Sequence, residues 1–507
     1  MKKVYALLPL LGLLMIACSD DDAPLPTTPD PDPVVITAGS ANFSNYVSLG
    51  NSLTAGFSDN ALFVAGQEAS FPNMLASNFA LAGGGSFSIP FMADNLGGAT
   101  LQGNPILGNR LFLAFTADGP APTPVPGQGT TEISTKLSGP FNNMGVPGAK
   151  SYELLAPGYG SVAGVASGTA NPYFARFSSS ETATVLEDAA AQSATFFSLW
   201  IGSNDILLYA TNGGSGTDQT GNLNPATYQR NDITDPNVLA GSIQGILQTM
   251  TANGAGGVIA NLPDVTDIPF FTTVPYNPVP LDAQTAALLN GAYAAYNGGI
   301  VAAFDFLVGL SQISREDADA EIARRTISFA AGDANPVVIL DEDLTDLTGI
   351  NPALINLRQS SPEDLLVLTS SSFIGTLANP NDPTSANGLA VPLADQWVLT
   401  PEEQEAVGTA LAAYNQSIEA LANQFGLAFV DANALLSNLN ANGLPLADGS
   451  VVTSTFATGG GFSLDGVHPA PRGYAILANA FVEAINETYG SNLPGVNPLD
   501  FTGLYID

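Results

Sequence analysis

The sequence predicts an α/β fold with a parallel central sheet. Short apolar segments of strand length alternate along the chain with longer segments of helical periodicity, and this alternation is typical of a parallel sheet that helices cover on both faces. Small or polar residues follow several of the apolar segments, at the position where open α/β sheets carry their chemistry. The predicted strands are Tyr46–Gly50, 196–201, 257–261 and 427–430.

The predicted helices have apolar residues three and four positions apart and residues typical of helix ends. Thr400-Pro401-Glu402-Glu403 is a capping box with proline at the first helical position, and Gly426 ends that helix. Asp235-Pro236 and Gly254 bound another helix in the same way. The predicted helices are Phe71–Leu81, 236–253, 286–310, 401–425 and a final one after Gly473.

The charge balance of the chain is strongly acidic. Its 507 residues include 12 lysines and arginines against 46 aspartates and glutamates, for a formal net charge of -34. Nucleic-acid binding needs basic patches that neutralise phosphates, so this composition argues against a nucleic-acid partner. Hydrophobic residues make up 45% of the chain, which is ample for a large core.

Residues 1–17 are predicted to be a targeting segment. Lys2 and Lys3 precede an apolar stretch that is too short to span a bilayer as a stable helix, and Cys18 follows it. The pattern resembles a bacterial lipoprotein signal peptide, which implies cleavage before Cys18 and lipidation of its thiol. An ordinary secretory signal with an incidental cysteine is the alternative. Because Cys18 is the only cysteine, no disulfide is expected.

Residues 18–40 are predicted to be the lipidated end and an extended tether, because their acidic and proline-rich composition cannot bury a core. The acidic residues directly after Cys18 resemble the surface-export signal of Bacteroidota lipoproteins. The resemblance implies an outer-membrane lipoprotein of the cell envelope, held to the membrane through Cys18. Whether it faces the periplasm or the cell surface stays open.

The stretch after the first predicted strand supplies a candidate nucleophile. Ser52 lies at the C-terminal tip of that strand, directly after Gly50 and Asn51. A serine hydroxyl needs a base and an orienting group. The only histidine, His468, lies three residues after Asp465, and the three residue types together are the parts of a nucleophilic hydrolase triad. A buried histidine satisfied by hydrogen bonds is the alternative.

Four short motifs, spread in order over residues 46–474, resemble the blocks of the GDSL, or SGNH, hydrolase family. The resemblance implies a three-layer α/β/α, flavodoxin-like fold in a domain over residues 41–495, with a C-terminal tail at 496–507. One departure is Asn51, where the family usually has aspartate, and this puts the local loop geometry in question. The motifs are Gly50-Asn51-Ser52-Leu53, residues 143–149, Gly202-Ser203-Asn204-Asp205 and Asp465-Gly466-Val467-His468.

The resemblance also implies a role for each motif residue. Ser52 is the nucleophile, His468 is the base, and Asp465 orients the imidazole. The backbone N–H groups of Ser52 and Gly148 and the side-chain amide of Asn204 hold the oxyanion. Taken alone, the Gly148 motif is only a turn and Asn204 is a helix cap. No metal or organic cofactor is expected.

Two long segments exceed what compact members of this family need. Residues 83–140 are rich in Gly, Pro and Phe with little periodicity, so they form either a lid or irregular packing. Residues 270–400 are expected to be an insertion on the same domain, with a strand at 337–340. Within it, Asp341-Glu342-Asp343 suggests calcium, but Asp346 stands where an EF-hand loop has glycine, which favours a solvated acidic turn.

These motifs together predict a serine esterase of the lipase or acylhydrolase type, acting on carboxylic esters. A carbohydrate O-deacetylase with the same site is one alternative. A surface protein that captures glycan or lipid with silent chemistry is the other. The substrate is expected to be a small-molecule, lipid or glycan ester, and the sequence leaves the oligomeric state open.

Overall fold

A five-stranded parallel sheet lies at the centre of the protein, which the computed structural model describes over residues 35–116, 119–382 and 384–506. In chain order the strands are β1 (Tyr46–Gly50), β2 (Asn143–Gly145), β3 (Phe196–Trp200), β4 (Gly256–Ala260) and β5 (Ala428–Val430). Across the sheet they follow the order β5-β4-β3-β1-β2, and every neighbouring pair is parallel. The predicted α/β class with a parallel central sheet is therefore confirmed.

Two pairs of helices pack on this sheet, and both faces of its central strands are buried. Consecutive side chains of a strand point to opposite faces, and all five residues of β1 and all five of β3 are buried. The Phe71–Leu81 helix packs against Pro471–Tyr489, and Pro236–Thr251 packs against Pro401–Phe425. Strands β4 and β5 contact a helix from each of these two pairs.

The five predicted helices are present, although Pro236–Thr251 ends before the predicted Gly254 and Ala283–Gly309 begins before the predicted Ala286. Other ends follow the expected signals. The Asp235 side chain accepts hydrogen bonds from two backbone N–H groups at the start of one helix. Thr400 and Glu403 form the capping box, and Gly426 is left-handed with φ 63°. The final helix begins at Pro471, slightly before the predicted start, because proline suits the first helical turn.

Fourteen α-helices occur in the described ranges, and none of them is both long and apolar enough to cross a membrane. They are Ser52–Ala55, Val64–Glu68, Phe71–Leu81, Val162–Val165, Pro172–Ala175, Val185–Ala190, Asn204–Ala210, Pro236–Thr251, Pro269–Thr272, Ala283–Gly309, Arg315–Arg325, Pro401–Phe425, Ala432–Asn442 and Pro471–Tyr489.

The segment 83–140 contains more regular structure than its sequence predicts. Ala99–Leu101 pairs with Asn104–Leu107 and Thr131–Glu132, and Leu111–Thr116 forms a hairpin with Gly119–Pro124. The last of these strands contains three prolines, which fits a strand with one unpaired edge. Short strands of this kind leave no clear periodicity in the sequence.

The segment 270–400 has an apolar core of its own. That core includes Val337, Ile339 and Leu393, and three antiparallel strand pairs surround it. The predicted strand at 337–340 is confirmed as Val338–Leu340, which pairs with Leu357–Gln359. The other paired strands outside the central sheet are Val279–Leu281, Gly332–Asn335, Leu365–Leu366, Val398–Leu399, Leu444–Pro445 and Val451–Val452.

The prediction of a solvated acidic turn is wrong at Asp341. This carboxylate is fully buried and accepts hydrogen bonds from Arg358 and, at 3.0 Å, from Arg324. The two arginines compensate for the loss of hydration. Glu342 and Asp343, by contrast, are exposed as predicted.

Both ends of the described chain pack on the domain. Thr37 donates its N–H to Asn492 Oδ1 at 2.6 Å, and Ser40 donates to the Tyr489 carbonyl at 2.8 Å, so residues predicted to belong to the tether contact the end of the final helix. In the segment 496–506, the Tyr505 ring lies under the Arg110 guanidinium at 5.0 Å. Cys18 and residues 19–34 lie outside the described residues.

Candidate active site

The candidate nucleophile Ser52 is the first residue of a short helix that begins directly after β1. Gly50 lets the chain pass closely beneath that helix, because an added Cβ would overlap the Thr54 side chain and the Trp200 carbonyl. The Asn51 side chain accepts a hydrogen bond from the Leu53 N–H at 3.0 Å and thereby caps the helix. Asparagine and aspartate are equally good caps, so the departure at Asn51 leaves the loop geometry intact.

The three predicted catalytic side chains form a continuous chain of hydrogen bonds. Ser52 Oγ lies 2.9 Å from His468 Nε2. His468 Nδ1 lies 2.9 Å from Asp465 Oδ2. Such an arrangement can pass the hydroxyl proton to the imidazole while the carboxylate holds the ring and its tautomer in place.

Asp465 is held by its own loop and by a residue near Ser52. Its Oδ1 accepts the N–H groups of Val467 and His468, both at 2.8 Å, and its Oδ2 accepts the N–H of Asn60 at 2.9 Å. Burial by itself would raise the pKa of Asp465, but His468 and these N–H donors lower the pKa to about 2. The carboxylate is therefore ionised throughout the neutral range.

Asn204 lies on the same wall as Ser52, at the start of the Asn204–Ala210 helix. Its Nδ2 donates one hydrogen bond to the Ala149 carbonyl at 2.9 Å, which fixes the amide and leaves its second N–H available. Gly148, just before Ala149, adopts φ +80°, and its carbonyl accepts a hydrogen bond from Arg230. Within the described residues, the N–H groups of Ser52 and Gly148 have no acceptor. Gly148 does not line the cavity described below, unlike Asn204 and Ser52.

A buried carboxylate that the motif comparison does not single out joins the two loops of this wall. Asp205 accepts hydrogen bonds from the Ser151 N–H and from the Ser151 hydroxyl, both at 2.8 Å. Burial raises the pKa of Asp205, although Lys150 acts in the opposite direction. This contact holds the turn after Gly148 against the helix that begins at Asn204. The sequence signal that could have pointed to Asp205 is its position directly after Asn204.

Asp59 is a second buried carboxylate near the triad that the sequence does not reveal. It is 2% exposed, and its Oδ1 accepts the Leu464 N–H at 2.9 Å. Its Oδ2 has no hydrogen-bond partner in the part of the chain that the structure describes. Burial raises the pKa of Asp59 to about 7, and the charge of Asp465 acts in the same direction.

An apolar cavity, part of it open to solvent, lies beside Ser52 and His468. The Ala432–Asn442 and Pro471–Tyr489 helices each contribute several residues to its walls. None of the described residues of the segment 83–140 lines this cavity, so the cavity does not support a lid role for that segment. The apolar lining includes Leu207, Leu436, Leu439, Phe462, Ile476 and Leu477.

The fold therefore brings Ser52, Asn204 and His468 to one cavity, with Asp465 directly behind the imidazole. Residues 52 and 468 are 416 positions apart in the chain and meet only in the folded protein. No family model, curated protein or solved structure matches this chain.

Proposed function

We propose that this protein is a serine esterase that hydrolyses carboxylic esters through Ser52, His468 and Asp465. The observation that carries the proposal is the pair of 2.9 Å hydrogen bonds that join the three side chains at the edge of an apolar cavity. The four motifs in their order and the parallel sheet support the finer assignment to the GDSL, or SGNH, type with a three-layer flavodoxin-like fold.

In the acylation half of the proposed reaction, Ser52 Oγ attacks the ester carbonyl carbon and its proton moves to His468 Nε2. The tetrahedral intermediate collapses, the bond to the alcohol breaks, and the imidazolium gives its proton to the leaving alcohol. An acyl group then remains on Ser52.

In deacylation a water molecule attacks the acyl carbon and gives one proton to His468. Collapse of this second intermediate releases the carboxylic acid, and His468 returns the proton to Ser52 Oγ. Asp465 stabilises the imidazolium in both halves because it stays ionised at neutral pH. The oxyanion needs donors that have no other acceptor, and the free N–H of Asn204 together with the Ser52 and Gly148 N–H groups suits that role.

The cavity favours an acyl chain over an acetyl group as the acid part of the ester. Its lining is dominated by leucines and other apolar side chains, and apolar surface binds methylene groups through the hydrophobic effect. An O-deacetylase removes an acetyl group, which is too short to contact an extended apolar lining. The proposal is therefore a lipase or acylhydrolase rather than a carbohydrate O-deacetylase.

The first test is turnover of p-nitrophenyl butyrate and labelling by a fluorophosphonate. The Ser52→Ala variant should lose about 10⁴-fold or more in kcat and should no longer be labelled. Ser203→Ala is the matched control, because Ser203 also lines the cavity and its hydroxyl has no partner among the described residues. A wild-type protein that binds the ester and neither hydrolyses it nor takes the label would instead be a binding protein.

We also propose, from the sequence alone, that Cys18 carries a lipid that anchors the protein to the outer membrane. The Cys18→Ala variant should leave the membrane fraction while its esterase activity is unchanged. Membrane partition at the wild-type level in this variant would contradict the anchor.

A further inference from the structure

Three acidic side chains meet outside the apolar cavity, on segments that flank the core of the 270–400 region. Glu342 follows the Val338–Leu340 strand, Asp395 precedes the Val398–Leu399 strand, and Glu403 lies in the first turn of the Pro401–Phe425 helix. One carboxylate oxygen of each residue lies within 4.8 Å of the others. In the described ranges, no lysine or arginine forms an ion pair with any of the three.

Glu403 presents a buried oxygen to this cluster without a compensating donor. The residue is 4% exposed, and its Oε2 accepts the Thr400 N–H at 2.6 Å. Its Oε1 has no hydrogen-bond partner in the described part of the chain. A Cβ added at Gly214 would overlap Oε1, so the glycine backbone closes over this oxygen and shields it from water. A buried carboxylate oxygen in this state is costly unless a cation or a proton neutralises it.

The acidic neighbours make the cost larger. Glu342 and Asp395 each place a like charge within 4.8 Å of a Glu403 oxygen, and like charges at that distance disfavour the ionised carboxylate. The nearby Arg324 does not relieve this, because it pairs with Asp341 and Glu402. Two occupants can neutralise the cluster, namely a proton shared between carboxylates or a metal cation.

The ligand chemistry and the spacing favour a cation, and a hard one. The ligands are all carboxylate oxygens, with no histidine or cysteine among them, which suits calcium or magnesium rather than zinc. The three oxygens lie within 4.8 Å of one another, so a single ion can contact all of them. Calcium takes about six to eight oxygen ligands in a flexible geometry, whereas magnesium usually keeps several waters and binds one or two carboxylates, so a site with three carboxylates favours calcium. We propose that Glu342, Asp395 and Glu403 bind a calcium ion.

Such an ion would tie three separate segments together. Glu342 and Asp395 both belong to the 270–400 region, whereas Glu403 starts a helix that packs on the sheet. The Gly214 backbone that covers Glu403 follows the Asn204–Ala210 helix, whose first residue lines the catalytic cavity. The expected role is therefore to stabilise the junction between the 270–400 region and the sheet, and it does not depend on the proposed esterase activity.

The test is calcium binding by isothermal titration calorimetry on the full chain, after removal of metal with EDTA. We expect a Kd of about 10⁻⁴ M or tighter, magnesium binding at least tenfold weaker, and a rise in Tm of a few degrees with calcium. Glu342→Gln and Asp395→Asn should each weaken calcium binding at least tenfold. Glu403 is left unchanged because its capping box supports the helix.

Glu405→Gln is the matched control, because it removes one negative charge from an exposed position of the Pro401–Phe425 helix, which also carries Glu403. It should bind calcium as the wild type does. Absence of calcium binding below 1 mM in the wild type would overturn the proposal and would assign a shared proton to the cluster. An equal loss of calcium affinity in Glu342→Gln and Glu405→Gln would also overturn the proposal. A magnesium affinity equal to the calcium affinity would overturn the choice of calcium.

Discussion

Lengthening the acyl group of the ester tests whether the apolar cavity beside Ser52 binds the acid part of the substrate. Each methylene that moves from water into apolar surroundings contributes about 0.8 kcal/mol. That is a factor of about four in kcat/KM when the contact is made in the transition state. The octanoyl ester has six more methylenes than the acetyl ester. If all six are buried in the cavity, kcat/KM should rise by about 4 × 10³-fold, and if they are partly buried it should rise by about 10²–10³-fold.

Narrowing the cavity at Ile476 should reverse this preference. Ile476 lines the cavity and lies outside the apolar core clusters of the described residues, so a larger side chain there leaves the core packing intact. The Ile476→Trp variant should keep its activity on the acetyl ester within about twofold. Its kcat/KM on the octanoyl ester should fall at least about tenfold, because the indole excludes the equivalent of two methylenes, or about 1.6 kcal/mol.

The assay is kcat/KM for p-nitrophenyl esters from acetyl to palmitoyl, measured below the aggregation limit of each ester. Thr488→Trp is the control, since it places the same indole on an exposed position of the same helix. A wild-type rate that is flat or falls from acetyl to octanoyl would refute the reasoning and would favour an O-deacetylase. An unchanged preference in Ile476→Trp would place the acyl group elsewhere.

Three further predictions concern side chains around the triad. Asp465→Asn should retain the fold but lose about 10⁴-fold in kcat, because the amide favours the wrong imidazole tautomer; a wild-type kcat would exclude Asp465 from the triad. Asn204→Ala should lower kcat by about 10²–10³-fold with a smaller effect on KM, and wild-type kcat would reduce Asn204 to a structural role. The pKa of Asp59 is raised by burial from 3.8 to about 7, so the folded state holds an extra proton between about pH 4 and 7 and loses stability as pH rises through that window. The free energy of unfolding of Asp59→Asn minus that of the wild type, measured by urea unfolding, should therefore increase by up to about 4 kcal/mol from pH 4 to pH 8. A difference that stays constant across that range would contradict the raised pKa of Asp59.

The sequence is most informative where a local pattern reflects a local cause. Four of the five central strands are predicted because buried parallel strands are continuous apolar runs. Asn143–Gly145 is missed as a strand because three residues, two of them asparagine and glycine, carry no such pattern. The helix that Thr400 and Glu403 begin is predicted closely because its capping residues act within one turn.

The sequence is less informative where contacts join distant segments. The arginines that bury Asp341 are 17 residues away on either side, and no local pattern reveals that they converge. Asp59 is buried only in the folded protein, where its carboxylate accepts the N–H of Leu464, 405 residues later, so the burial that raises its pKa has no counterpart in its neighbours along the chain. Ser52 and His468 are equally distant but belong to recognisable motifs, which is why they are predicted in advance.

The separation of Ser52 and His468 by 416 residues has a consequence for biosynthesis. The residue that carries the hydroxyl is synthesised long before the residue that carries the imidazole, because His468 follows Ser52 in the chain. If Ser52 and His468 act as proposed, a product that ends before residue 468 carries an unactivated hydroxyl and cannot cleave esters. In the proposed esterase, ester turnover then reports that the segments around these two residues have been made and have assembled.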